Sequence, residues 1–293
     1  GAGGQKRVPE SFLKDWKPPL PPITIQQRIA RFLDEKTARI DALVEKKQAL
    51  LERLAEKRQA LITRAVTKGL NPDAPMKPSD VDWLGEVPAH WTVAALGYRY
   101  EVQLGRMLNA ERADGENLKP YLRVFDVQWG KINTSDLPLM DFPPDAKLRY
   151  RLAPGDLLVN EGGSFVGRSA IWRGEIDECY YQKALHRVRP MNRCRDSTEF
   201  LYFVMEAATR NMVFEGSGNQ TTIDHLTAEQ LRRYRFAFPP ANEQRLLVEN
   251  LTAQVERIDA VSAAVNESVV RLQEHRSALI TAAVTGQLPE LNG

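Results

Sequence analysis

A segment of fifty residues occurs twice in this chain, and that duplication constrains the fold more than any other feature. Pro21 to Leu70 reads PPITIQQRIARFLDEKTARIDALVEKKQALLERLAEKRQALITRAVTKGL, and Pro239 to Leu288 reads PPANEQRLLVENLTAQVERIDAVSAAVNESVVRLQEHRSALITAAVTGQL. The two align without a gap at a constant offset of 218 (259 − 41, from Asp259 and Asp41), with 20 identities in 50 positions. Self-similarity of this kind reports architecture directly. It predicts one domain bracketed by two copies of one long helix, an arrangement that suits a spacer and a reader better than an enzyme.

Between residues 24 and 67 the first copy contains neither Pro nor Gly. Its apolar residues Ile29, Leu33, Ile40, Leu43, Leu50, Leu54 and Leu61 follow steps of three and four, with Lys36, Lys47 and Lys57 in the slots between. The second copy offers Leu247, Leu251, Ile258, Val261, Val265, Leu272 and Leu279, with Gln254, Ser268 and His275 in the gaps. This is the heptad stripe of a coiled-coil seam. Pro22 and Pro240 suit helix entry, and Gly69 and Gly286 stand where each helix should stop. A helix of about 45 residues is about 65 Å long, and its narrow apolar stripe cannot bury itself. The copies are therefore expected to pair as an antiparallel coiled coil. The alternative is two ordinary core helices of a bundle, which the length and the polar interruptions disfavour.

The repeat extends upstream, where Leu13-Lys14-Asp15-Trp16-Lys17 aligns with Leu231-Arg232-Arg233-Tyr234-Arg235. The second of these closes the central domain, so symmetry predicts that the first is the tail of an absent one. The expected organisation is a domain tail over residues 1–22, a long helix over 23–70, a linker over 71–80, the central domain over 81–238 and the second long helix over 239–293. The linker is the Pro-rich run Asn71-Pro72-Asp73-Ala74-Pro75-Met76-Lys77-Pro78. Within the central domain, Tyr121 to Val127, Asp156 to Val159, Ser169 to Trp172 and Leu185 to Val188 read as strands. Helices are expected from Thr198 to Asn211 and from Thr227 to Arg233. The fold class is α+β: one mixed α/β domain flanked by two long helices.

Charge is nearly balanced, 40 Lys plus Arg against 38 Asp plus Glu in 293 residues, so bulk electrostatics does not announce a nucleic-acid binder. No apolar run is long enough to span a membrane. Two cysteines, Cys179 and Cys194, are too few for a disulfide scaffold and fit a reduced, cytoplasmic protein. Basic loop residues are plentiful: Arg106, Arg112, Arg123, Arg149, Arg151, Arg168, Lys183, His186, Arg187 and Arg189. Side chains of this kind read base edges when carried on loops of a firm scaffold. For any one of them, a salt bridge or a solvated surface is the more ordinary explanation.

No catalytic constellation emerges. Gly162-Gly163-Ser164-Phe165-Val166-Gly167-Arg168-Ser169 nearly fits the P-loop pattern but has Arg168 where the phosphate-reaching Lys belongs. Ser164 fails as a nucleophile elbow because Val166 stands where Gly is required. His90, His186, His225 and His275 lack metal-ligand spacing. Glu45-Lys46-Lys47 lies on the first long helix, where charge pairs are the ordinary reading. The Asn-Pro-Pro-aromatic tetrapeptide of the amino-methyltransferases is absent from the sequence. Neither a cofactor nor a metal is expected.

Several motifs together resemble a known family. Pro-Pro-x-x-x-Gln before a long helix, Arg-Ile-Asp-Ala in its middle and Leu-Ile-Thr-x-Ala-Val-Thr at its end occur in both copies. They are similar to the conserved regions of the specificity subunit of type I restriction-modification enzymes. Trp83-Leu84-Gly85-Glu86-Val87-Pro88-Ala89-His90-Trp91 resembles the opening of that family's target recognition domain. Gly155-Asp156-Leu157-Leu158, Gly167-Arg168 and the run from Gln182 to Pro190 resemble its interior. Gly216-Ser217-Gly218-Asn219-Gln220-Thr221-Thr222-Ile223-Asp224-His225-Leu226 resembles its closing loop. A full family member has two recognition domains, each reading half of a split DNA site, with antiparallel helices setting the distance between halves. This chain resembles a form without the first.

The resemblance implies a non-catalytic, sequence-specific reader of double-stranded DNA. It would dock methyltransferase subunits and, through them, restriction and translocase subunits. A homodimer that rebuilds the symmetry is one option it leaves open. The positions expected at DNA are Arg106, Asn160, Ser164, Arg168, Gln182, Lys183, His186, Asn219, Gln220 and Thr221. The rival reading is a coiled-coil adaptor whose central domain never touches DNA.

Overall fold

The computed structural model describes residues 10–15, 20–107, 115–162, 166–214 and 225–292. In chain order the elements begin with α1 (Glu10–Asp15) and α2 (Ile23–Lys68), then β1 (Met76–Pro78), β2 (Glu86–Pro88), β3 (Thr92–Ala95) and β4 (Tyr100–Leu104). There follow β5 (Leu118–Leu122), β6 (Val127–Gln128), β7 (Lys131–Ile132), β8 (Leu139–Asp141) and α3 (Pro144–Tyr150). Next come β9 (Asp156–Asn160), β10 (Ser169–Trp172), β11 (Tyr180–Tyr181) and β12 (Leu185–Pro190). The chain closes with α4 (Thr198–Arg210), α5 (Ala228–Arg233), β13 (Arg235–Phe238), α6 (Ala241–Val284) and α7 (Pro289–Asn292). Two compact units result, Gly1–Arg53 with Ala260–Gly293, and Leu54–Asp259.

Both duplicated segments are helical, and both end at the expected glycine. Gly69 and Gly286 take φ of +73° and +74°, the left-handed conformation in which a Cβ is penalised. The Gly69 N–H donates to the Ala65 carbonyl at 3.1 Å, and the Gln287 N–H to that of Ala282 at 2.8 Å. The motif Gln acts alike at both starts. Gln26 Nε2 donates to the Pro21 carbonyl at 2.8 Å, and Gln244 Nε2 donates to that of Pro239 at 2.9 Å. Gln244 is buried and does more: it accepts from the Ser197 N–H at 2.9 Å and donates to the Arg195 carbonyl at 3.1 Å. One side chain thereby joins the start of α6 to the segment that leads into α4.

The mid-helix motif has a matching purpose. In the first unit, Arg276 Nε donates to Asp41 Oδ1 at 2.8 Å. In the second, Arg58 Nε donates to Asp259 Oδ1 at 3.0 Å. Asp41 and Asp259 occupy one position of the repeat, and Arg58 and Arg276 another. Each copy's Asp thus meets the other copy's Arg, the order expected of antiparallel helices.

The stripe of shielded residues keeps Ile40, Lys47 and Leu54 of the expected heptad, and Leu247, Leu251, Ile258, Val265, Leu272 and Leu279 of the second copy, but departs from it at three apolar positions. Leu43, Leu50 and Val261 are 48, 42 and 49% exposed. Their neighbours Val44, Leu51 and Ser262 are half-buried. On α2 the stripe runs through Ile40, Val44, Lys47, Leu51, Leu54, Arg58 and Ile62, closer to the natural 3.6-residue turn than to a strict 3.5 repeat. The polar slots expected at Lys57 and His275 are filled instead by Arg58 and Arg276, the residues that reach across.

The second unit is built on a four-stranded antiparallel sheet of order β10-β9-β12-β4. On one face Val102, Leu157, Val159 and Val188 share a core with Phe200, Leu201, Val204 and Met205 of α4, with Ile62 and Val66, and with Leu247, Leu251 and Val255. On the other, Leu158, Ala170, Trp172 and Leu185 pack with Leu122, Val127 and Tyr181. Covered on both faces, β9 is buried along its whole length, which is why Asp-Leu-Leu-Val-Asn shows no alternation. Strands β11, β5 and β8 form a second sheet, and β13 pairs with β3. The strand expected over Tyr121–Val127 breaks after Leu122. There the Asp126 carboxylate accepts from both the backbone N–H and the guanidinium of Arg123, at 2.8 Å each, and folds the chain into a 3-10 turn over Val124–Asp126.

Candidate functional site

Antiparallel order brings four strand ends to one edge of the central sheet. β4 and β9 finish there while β10 and β12 begin there, with Leu104 opposite His186, Asn160 opposite Leu185 and Val159 opposite Ser169. The polar residues that leave these ends converge. Arg106 forms an isolated parallel bridge with Gln182. Its N–H donates to the Tyr181 carbonyl at 3.0 Å, and its own carbonyl accepts from the Lys183 N–H at 2.8 Å. Gly105 makes this approach feasible: a Cβ there would lie 2.1 Å from the Gln182 carbonyl oxygen. The Arg106 guanidinium lies 5.3 Å from the Phe142 ring centre and donates to the Asp141 carbonyl at 2.9 Å. Arg168 is half-buried and donates to the side-chain oxygen of Gln128. Lys183 is exposed.

Beside them stands Glu161, which follows β9. Its N–H donates to the Ala184 carbonyl at 3.0 Å, and its carbonyl accepts from the Leu226 N–H at 2.6 Å. Partial burial raises its carboxyl above the usual range, while His225 and Lys183 pull it back down. His225 bridges Gly162 and is itself exposed.

Two of the expected contact residues face inward instead. Asn160 is 0% exposed, and its amide donates to the carbonyls of Val124 at 3.1 Å and Val127 at 3.4 Å. His186 is also 0% exposed, with Nε2 at 2.6 Å from the Leu226 carbonyl. Burial pushes its imidazole down to about 4, against the pull of that hydrogen bond and with the push of Arg232. The alternation of β9 and β12 turns these two side chains into the two cores, so they leave the set of contact candidates and become supports for the edge. Arg106, Arg168, Gln182 and Lys183 stay at the edge. Ser164, Asn219, Gln220 and Thr221 lie outside the described residues.

Several other basic residues serve the scaffold. Arg187 donates to the carbonyl of Arg149 at 3.0 Å and to Glu101 at 3.0 Å, and Arg189 grips Asp156 with two bonds of 2.6 and 2.7 Å. Sequence pattern does not single out Glu161 or His225 as contact residues, because a lone acid after a strand and a lone His carry no spacing signal. Among the described residues no group of three or more His, Cys, Asp or Glu is placed to hold a metal ion. No described helix is long and apolar enough to cross a membrane.

Residues 101–269, more than half of the chain, match the family model described as the type I restriction modification DNA specificity domain. The chain belongs to this family. Among relatives of this specificity domain, the EcoKI type I specificity subunit of Escherichia coli K12 is 24% identical over 213 residues, covering 70% of this chain and 45% of the relative. The EcoBI specificity subunit of Escherichia coli is 26% identical over 170 residues, covering 58% of this chain and 33% of the relative. The chain thus spans less than half the length of these curated relatives. A solved structure from work on assembly and conformational transition of the type I R-M system matches with a TM-score of 0.70 and 18% identity, over 92% of this chain and 62% of that one. The HsdS subunit of Thermoanaerobacter tengcongensis matches with a TM-score of 0.56 and 17% identity, over 92% of this chain and 61% of that one. The specificity-domain fold, a mixed α/β body with a long helix on either side in sequence, is therefore shared.

Proposed function

We propose that this chain is a non-catalytic DNA-recognition component of a type I restriction-modification complex. The edge carrying Arg106, Arg168, Gln182 and Lys183 reads one half of a bipartite site in double-stranded DNA. The single observation that carries this reading is the convergence of those four residues at one edge, in a chain that belongs to a DNA specificity family. Arg and Lys there supply phosphate contacts that fix position, and Gln182 with the arginines supplies donors to base edges. The two long helices pair as an antiparallel coiled coil, in the order of the Asp41–Arg276 and Arg58–Asp259 ion pairs. Their outward faces, which expose Leu43, Leu50 and Val261, dock methyltransferase subunits and, through these, the restriction and translocase subunits. Two copies of the chain rebuild a symmetric reader.

The test is co-purification with a type I methyltransferase subunit, then selection of a randomised duplex pool. Enrichment of a split motif, with affinity falling steeply as salt rises, is the expected result. A palindromic motif would mark paired copies. A well-folded sample that enriches no sequence and shows no salt-dependent binding would overturn the reading in favour of an adaptor.

A further inference from the structure

We infer that Glu161 is a base-reading residue whose carboxylate accepts a hydrogen bond from the exocyclic amino group of a DNA base. The inference rests on the DNA-reading role proposed above. It starts from an anomaly in the site: a carboxylate stands beside Lys183 and His225, on an edge assigned to a polyanion.

The position of Glu161 is fixed from both sides. Its N–H is bonded to β12's approach at Ala184 and its carbonyl to Leu226. The side chain is half-buried, flanked by the exposed bases Lys183 and His225, and makes no hydrogen bond with any described residue. An acid needed only for folding would be expected to pair or to hydrogen-bond, as Asp126, Asp156 and Asp196 do with Arg123, Arg189 and Arg99. Facing DNA, the carboxylate is repelled by every phosphate. Phosphate and deoxyribose offer it no donor within the duplex. The donors that duplex DNA does present are base amino groups, N4 of cytosine and N6 of adenine in the major groove and N2 of guanine in the minor groove. A carboxylate accepts from any of these and rejects the carbonyl and ring-nitrogen acceptors of a mismatched base. Burial raises the Glu161 carboxyl, and Lys183 and His225 offset part of that rise. They also suit the phosphates on either side of the base being read.

The experiment uses the full chain assembled with its methyltransferase subunit. The motif enriched by the native complex is compared with that enriched by Glu161→Gln, whose amide donates as well as accepts and so tolerates acceptor-bearing bases. The expected result is relaxed preference at one base pair, by roughly 10- to 100-fold, with the rest of the motif unchanged. Replacing the base at that position by its amine-free analogue (2-pyrimidinone, purine or inosine) should weaken the native complex by a similar factor and weaken Glu161→Gln less, since a neutral acceptor forms the weaker bond to that amine. Unchanged preference at every position overturns the assignment. If Glu161→Gln lowers thermal stability, Glu161→Asp, which keeps the charge and withdraws it by one methylene, must relax the same position. A native complex that enriches no motif refutes the underlying DNA-reading role instead, so the two failures are distinct.

Discussion

Arg58 and Arg276 hold the same place in the duplicated helix, yet their removal should differ several-fold in cost. Arg276 pairs with Asp41 where both side chains are open to solvent, 39 and 54% exposed. Truncating it to Ala removes an exposed ion pair, a loss of about 0.2–1 kcal/mol. Arg58 pairs with Asp259 and also reaches the carboxylate of Glu206, which is 1% exposed. Burial works against the Arg58 charge, but the bond and the field of Glu206 more than offset it and hold the guanidinium above its ordinary value. Arg58→Ala would strand that carboxylate in the interior, a loss of about 3–5 kcal/mol. At about 2–4 °C per kcal/mol, calorimetry should show the melting of the second unit fall by roughly 6 to 20 °C. Arg276→Ala, in the smaller unit where the scale is about 4–8 °C per kcal/mol, should lower its transition by no more than about 8 °C. Adding Glu206→Gln to Arg58→Ala removes the stranded charge and should recover much of the loss. Equal free-energy losses for the two arginines, or no recovery by Glu206→Gln, would refute the argument that the buried carboxylate sets the difference.

Gln244→Ala should destabilise the folded chain by about 2–4 kcal/mol in denaturant unfolding, because the Ser197 N–H and two carbonyls lose a buried partner, whereas Gln26→Ala, at an exposed position, should cost a few tenths. Arg168→Ala and Lys183→Ala should each weaken DNA binding and flatten its salt dependence by about one ion per charge removed, read by fluorescence anisotropy across a salt series. His186, lowered to about 4 in the folded state from an ordinary 6.5, makes the unfolded chain the stronger proton binder between those values. Stability should therefore fall as pH drops from about 6.5 to 4, and His186→Gln should flatten that part of the unfolding profile.

The large elements were legible because the repeat speaks through covalent pattern alone. Unbroken helix formers, a Pro pair before and a Gly after fix where α2 and α6 start and stop. The phase of the stripe was not legible at Leu43 and Leu50. Steps of three and four fit two neighbouring faces, and the choice depends on what each turn meets. The strands β9, β10 and β12 were visible as short apolar runs between turn residues. The Arg123–Asp126 clasp, which ends β5 early, depends on side-chain geometry that no run of residue types encodes. The candidate site was half legible. Arg106, Arg168 and the neighbours Gln182 and Lys183 carry the right chemistry and come from three separate stretches, but only the antiparallel sheet order puts them at one edge. Asn160 and His186 have similar chemistry and sit one position within strands, where alternation turns them inward. Glu161 sits one residue beyond Asn160, past the strand, and remains at the edge.

The crossed Asp–Arg pairs carry a consequence for assembly. Each long helix holds both halves of a fastening, an acid and a base seventeen residues apart (58 − 41 and 276 − 259). A hook and an eye on the same ribbon fasten equally well to its own other end or to the end of a second ribbon. At the exposed Asp41–Arg276 fastening, chemistry alone does not decide between closure within one molecule and exchange between two. Connectivity decides it, through the effective concentration that one end of a chain presents to the other. Exchange therefore gains ground with crowding or with any change that holds the two ends of one molecule apart.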